Sequence, residues 1–86
     1  MIFRRTARSQ RAYAKLSAGD AERIEAAIRH FAADPSYPSL RVKRMQGTEN
    51  IWEARASQDL RITFRREGDR ITFRNVGRHD ATLRNP

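Results

Sequence analysis

Between Ile51 and Val76, apolar and polar residues alternate in three runs separated by short polar breaks. The runs cover about 51–56, 60–66 and 70–76, and the breaks are Ser57-Gln58-Asp59 and Glu67-Gly68-Asp69. Strict alternation marks strands with two unlike faces, and Gly68 suits the positive-φ position of a tight turn. In the first run Trp52, Ala54 and Ala56 fall on one face, with Glu53 and Arg55 on the other. In the second, Leu60, Ile62 and Phe64 oppose Arg61, Thr63 and Arg65. In the third, Ile71 and Phe73 oppose Arg70, Thr72 and Arg74. One side of this sheet needs cover, while the wet side is heavily loaded with arginine.

The preceding residues supply the cover. Met1–Arg5 reads as a short strand with Ile2 or Phe3 pointing inward. Thr6 can cap a helix over about 7–17, in which Ala12, Tyr13 and Leu16 form a narrow apolar stripe. Ser17 and Asp20 have capping-box-like spacing and open a second helix, with Ala21, Ile24, Ile28 and Phe31 on its apolar side. Pro35 ends that helix and Pro38 keeps the next loop extended. His30 falls in the last turn, where it reads as a surface or packing residue. Leu40–Met45 alternates again, which predicts a strand with Leu40 and Val42 inward and Arg41 and Lys43 on the arginine side. After Val76 come Gly77-Arg78-His79-Asp80 and a short tail, Ala81–Pro86, with no assigned element. The expected architecture is a single α+β domain over 1–86, in the order β-α-α-β-β-β-β. Two helices pack on one face of a mostly antiparallel sheet, and the opposite face is open and basic.

Composition sharpens this picture. Eighteen Lys and Arg against ten Asp and Glu give a formal charge of +8 on 86 residues. So basic a chain fits a polyanionic partner: nucleic acid first, then an acidic protein, then a membrane surface. The sequence has no cysteine and only two histidines, His30 and His79, which argues against a disulfide framework or a structural zinc site. No apolar run approaches a membrane span and the N-terminus lacks a signal-peptide core, so a soluble cytoplasmic protein is expected.

Arg41, Lys43, Arg55, Arg61, Arg65 and Arg74 are expected to share one surface. Like charges on neighbouring strands repel, so folding alone would favour mixed signs there. Arginine's planar fork also matches a phosphate, which points to backbone binding. Base stacking is less well supported, because Phe64 and Phe73 fall on the buried face. His79, just after the last strand, adds chemistry to binding. Cleavage of RNA by its own 2′-hydroxyl needs a base, positive charge on the phosphate and an acid for the 5′-oxygen. Arginines supply the charge, and His79 and Glu53 are the proton carriers placed near that face.

Four stretches taken together resemble the RelE/ParE superfamily of toxins from bacterial toxin–antitoxin pairs. They are Leu40–Gly47, Ile51–Arg55, Leu60–Phe64 and Asn75–Asp80, and the resemblance spans almost the whole chain. It implies a compact α/β toxin neutralised by an antitoxin that wraps over it. RelE-like members cut mRNA in the ribosomal A site, whereas ParE-like members inhibit DNA gyrase without cutting RNA. Carried over by position, Arg61 matches the arginine that stabilises the phosphate in RelE-like nucleases, and Arg55 matches a basic position on the preceding strand. His79 falls where some members have a catalytic histidine and others an arginine. Arg41 and Lys43 lie where ribosome or substrate contacts occur. The family's acidic base lies elsewhere, so Glu53 as general base, and Arg65, Arg74 and Arg78 as further RNA-binding positions, are expectations from this chain's own basic face. Several nuclease members end on an aromatic residue near the site; here the tail Leu83-Arg84-Asn85-Pro86 has none.

The leading expectation is therefore a ribosome-dependent, metal-independent mRNA endonuclease that inhibits translation and uses no cofactor. The alternatives are a gyrase-inhibiting toxin and a nuclease-inactive binding module of the same fold. The expected partners are mRNA on the ribosome (or gyrase) and a cognate antitoxin, acidic where it meets Arg55 and Arg61.

Overall fold

A computed structural model describes all residues, Met1–Pro86. Strand β1 (Ile2–Arg5) leads into helices α1 (Ala7–Ala14) and α2 (Ala18–Ala33). The strands β2 (Lys43–Arg44), β3 (Ile51–Arg55), β4 (Leu60–Glu67) and β5 (Arg70–Arg78) follow, and helix α3 (His79–Arg84) closes the chain. The expected order of two helices after one strand and before four is present.

The helix ends lie where the sequence signals them. The Thr6 side chain accepts from the Ser9 N–H, and the Ser17 side chain accepts from the Asp20 N–H. Helix α1 stops at Ala14 rather than near 17, because Ser17 must adopt extended backbone to cap α2. Asp34, held extended at φ −157° ahead of Pro35, ends α2.

The five strands lie in the order β1-β5-β4-β3-β2; β1 runs parallel to β5 and the other pairs are antiparallel. Register puts Trp52 opposite Phe64, Ala54 opposite Ile62, and Phe64 opposite Phe73. Ile24, Ala27 and Phe31 of α2 complete the core on this side. Phe31 meets Phe64 edge-on at 5.0 Å, and Phe3 stacks on Phe73 at 5.9 Å, so Phe3 is the residue of β1 that touches the aromatic cluster, from an exposed position at its edge. Burying each large apolar side chain contributes roughly 1.5–3 kcal/mol.

A bulge makes this core possible. Thr63 pairs with Asn75 but Phe64 pairs with Phe73, leaving Arg74 as an extra residue in β5. Phe73 and Val76 are three positions apart, and both join the core because Arg74 interrupts the alternation.

Two expectations need correction. Leu40–Met45 is not one strand: a 3-10 turn covers Pro38–Leu40, Arg41 takes left-handed backbone at φ 46°, and only Lys43 and Arg44 pair with β3. Leu40 is still buried and Val42 still packs on the core, so a period of two arose without a strand. The tail is also ordered: α3 lies on β4 and β5, opposite α2. It approaches closely at Gly77, where an added Cβ would lie 3.0 Å from the Thr82 hydroxyl. Thr82 on the inner side of α3 and Thr63 of β4 are both buried, so α3 covers part of the face otherwise left open.

Candidate phosphate-binding face

On the side away from α2, register builds two adjacent rungs. Lys43 opposes Glu53, Glu53 opposes Thr63, and Thr63 opposes Asn75. One step along, Arg55 opposes Arg61, which in turn opposes Gly77. Two guanidinium groups thus face each other across β3 and β4.

The turn between these strands holds that pair in place. An Arg61 Nη atom donates to the carbonyls of Ser57 at 2.8 Å, Gln58 at 3.2 Å and Leu60 at 3.0 Å. Arg55 Nε donates to the Ser57 carbonyl at 3.3 Å. Burial, and then the Arg55 charge, push the Arg61 pKa down, while Glu53 opposes the shift; the guanidinium remains charged. Glu53 is only 8% exposed and offsets the repulsion between the two arginines.

His79 reaches the same turn through its backbone, its N–H donating to the Asp59 carbonyl at 2.8 Å. Its Nδ1 lies 2.7 Å from Asp80 Oδ1, and that hydrogen bond, followed by the His79 charge, lowers the Asp80 pKa. In the neutral ring, Nδ1–H donates to Asp80 and Nε2 is the free acceptor. A cleft of about 560 Å³ opens beside Arg55, walled by Arg23, His30, Arg41 and Arg55 without a single acid.

No family model matches the sequence, and neither does any curated protein. Solved structures do match. A YoeB/ParE toxin from Agrobacterium tumefaciens is 21% identical, with a TM-score of 0.73 over 92% of this chain and 99% of that one. YafQ from E. coli is 12% identical, with a TM-score of 0.76 over 92% and 93% of the two chains. The RelB-RelE antitoxin-toxin complex from Methanococcus jannaschii matches at 21% identity and a TM-score of 0.73, over 94% of this chain and 93% of that one.

The fold is that of the RelE/ParE toxins.

Within this RelE/ParE fold, the expected site residues separate into groups. Glu53, Arg55 and Arg61 come together, with Lys43 beside Glu53 and the Arg41 charge close enough to act on Arg61. Arg41 does so from a turn, not from the expected strand. Arg65 lies further along β4, near Arg74 at the bulge; burial, then the charges of Arg65 and Arg8, lower the Arg74 pKa. Arg78 stands apart: it pairs with Asp20 at 3.6 Å and Asp59 at 3.7 Å, on the rung of Leu60. His30 stacks on Tyr37 at 4.4 Å, consistent with packing.

Sequence reasoning missed two parts of this surface. One is the 57–59 turn as a shared anchor for Arg61 and His79, which no local pattern signals. The other is Arg8, whose guanidinium donates to the Asn85 carbonyl beside Arg74. Its signal was available, because five cations and no acid precede Asp20.

Proposed function

We propose that the protein is the toxin of a toxin–antitoxin pair and cuts mRNA on the ribosome. The observation that carries this reading is the Arg55–Arg61 pair and His79 meeting on one turn, residues 57–59. Arg55 and Arg61 stabilise the charge that accumulates on the scissile phosphate during attack by the adjacent 2′-hydroxyl. The 2′-oxygen bonds to phosphorus and its proton passes to water. The bond from phosphorus to the 5′-oxygen breaks, and the His79 imidazolium protonates the departing oxygen. Asp80 orients that ring, and Glu53 holds Arg61 in place against Arg55. Because the nucleophile belongs to the RNA, the chemistry does not require a metal-activated water. Arg41 and Lys43 hold flanking phosphates.

The neutralising partner is an antitoxin whose carboxylates meet Arg55 and Arg61. Solved neighbours of this fold include antitoxin-toxin complexes, RelB-RelE and DinJ-YafQ, which supports such a partner. Its affinity falls as salt rises.

Primer extension on mRNA from cells briefly expressing the protein tests the reading. Wild type gives new cuts in translated messages. Arg61→Gln reduces them by about 10²–10³-fold, the usual cost of losing one charge-stabilising donor. His79→Ala reduces them by about 10²–10⁴-fold, the range for a general acid. Growth arrest by both variants without loss of potency overturns the nuclease assignment. Arrest by wild type with no cuts, together with inhibited supercoiling, transfers the function to gyrase.

A further inference from the structure

A second basic surface runs along α1, away from the Arg55–Arg61 pair. Arg8, Arg11 and Lys15 follow one another at spacings of three and four, which places them on a single helical stripe. From Arg8 to Lys15 the stripe extends about 10 Å along the helix axis. All three side chains are exposed, and they line a groove between α1 and β5 whose floor includes Ala12, Leu16 and Val76.

Arg8 joins this stripe to the bulge in β5. Its charge acts on Arg74, as does that of Arg65. The Nε–H groups of Arg65 and Arg74 are both buried without a hydrogen-bond acceptor. Burial keeps these two N–H groups out of reach of an outside ligand, and an Arg74 Nη donates to the Pro86 carbonyl at 3.4 Å, so what the two residues offer an anion is their positive charge. None of Arg8, Arg11, Lys15, Arg65 and Arg74 forms an ion pair with a carboxylate.

We propose that Arg8, Arg11 and Lys15, continued by Arg74 and Arg65, form a second track for the phosphate backbone of a nucleic-acid strand, separate from the cleavage site. This extends the RNA-acting reading given above. A protein partner is the poorer fit, because protein interfaces centre on apolar and aromatic anchors. The exposed large apolar residues, Met1, Ile2, Phe3 and Tyr37, all lie outside the track. Charge with little apolar content suits nucleic acid, whose interfaces are polar and strongly positive on the protein side. The track gives a structured RNA a second grip, so that the strand at Arg61 need not supply all the affinity.

Binding of fluorescein-labelled 2′-O-methyl RNA, which its own 2′-oxygen cannot cut, tests the track independently of cleavage. Affinity is measured by anisotropy over a salt series for wild type, for Arg61→Gln, and for the triple variant Arg8→Gln, Arg11→Gln, Lys15→Gln. Glutamine is a good helix former, so the triple variant keeps its melting temperature. Losing three phosphate contacts lowers the slope of log affinity against log salt by about 2 for an unpaired strand and nearly 3 for a duplex. An unchanged slope overturns the track, as does polyglutamate displacing the RNA as well as unlabelled RNA of equal charge does. If the triple variant keeps the wild-type slope while Arg61→Gln stops cleavage, the track falls and the nuclease stands. If the triple variant loses slope while Arg61→Gln cleaves normally, the track stands and the nuclease falls.

Discussion

The two faces of β3 and β4 are made from the same strands, at alternating positions, and obey opposite rules. On one face Trp52 meets Phe64 and Ala54 meets Ile62, with Phe64 wholly buried under α2. On the other, Glu53 meets Thr63 and Arg55 meets Arg61. The first face concentrates contacts that stabilise the fold. The second sets two like charges directly opposite, an arrangement that costs roughly 0.2–1 kcal/mol. That cost is small beside the burial on the reverse side, so the core can support a cationic face that would not stabilise a sheet by itself. The turn carbonyls of Ser57 and Gln58 and the carboxylate of Glu53 reduce the strain of the arginine pair without neutralising it.

The contrast breaks most sharply in the core. Phe64→Ala removes a side chain packed against Phe31 and Phe73, and should cost about 3–5 kcal/mol in chemical denaturation. An effect below about 1 kcal/mol would mean that the helix-covered face is not the main source of stability. On the reverse face the largest effect on stability is expected at Gly77, beneath α3. Gly77→Ala imposes a side chain at φ 150° and crowds the Thr82 hydroxyl, at a cost of about 1–3 kcal/mol. Hydrogen exchange should then rise in α3 before it rises in β3. Uniform exchange across both would show that α3 is not a separate cover.

The smallest effect is a pH dependence. The hydroxyl and N–H of Ser36 hold the Asp34 pKa below its ordinary value, and His79 does the same for Asp80. A depressed carboxylate pKa contributes stability above the unfolded value, about 3.9, which is lost as pH falls through the folded value. The melting temperature should therefore decline below about pH 4, and less steeply in Asp34→Asn. The arginines of the cationic face keep their charge throughout this range. An equally steep decline in that variant would place the acid sensitivity elsewhere.

Much of the architecture was legible because it is local. Alternation in β3 and β4 assigned both faces, Thr6 and Ser17 marked the helix starts, and Pro35 marked the end of α2. The same alternation put Arg55 and Arg61 on one face, and the register of β3 and β4 set them opposite each other. The basic stripe on α1 was also present in the sequence, but its meaning depended on finding Arg8 beside Arg74.

What the chain alone determined was periodicity, capping and charge, since each depends on residues within a few positions of one another. Only the tertiary structure decided the parallel pairing of β1 with β5, the extra residue Arg74, the left-handed Arg41 and the seat of α3 on Gly77. Each is a choice between local conformations of similar energy, settled by contacts between residues far apart in sequence. The meeting of Arg61 and His79 on one turn has the same origin: it requires β5 to lie beside β4 in this register, so that the chain beyond Arg78 returns to Asp59.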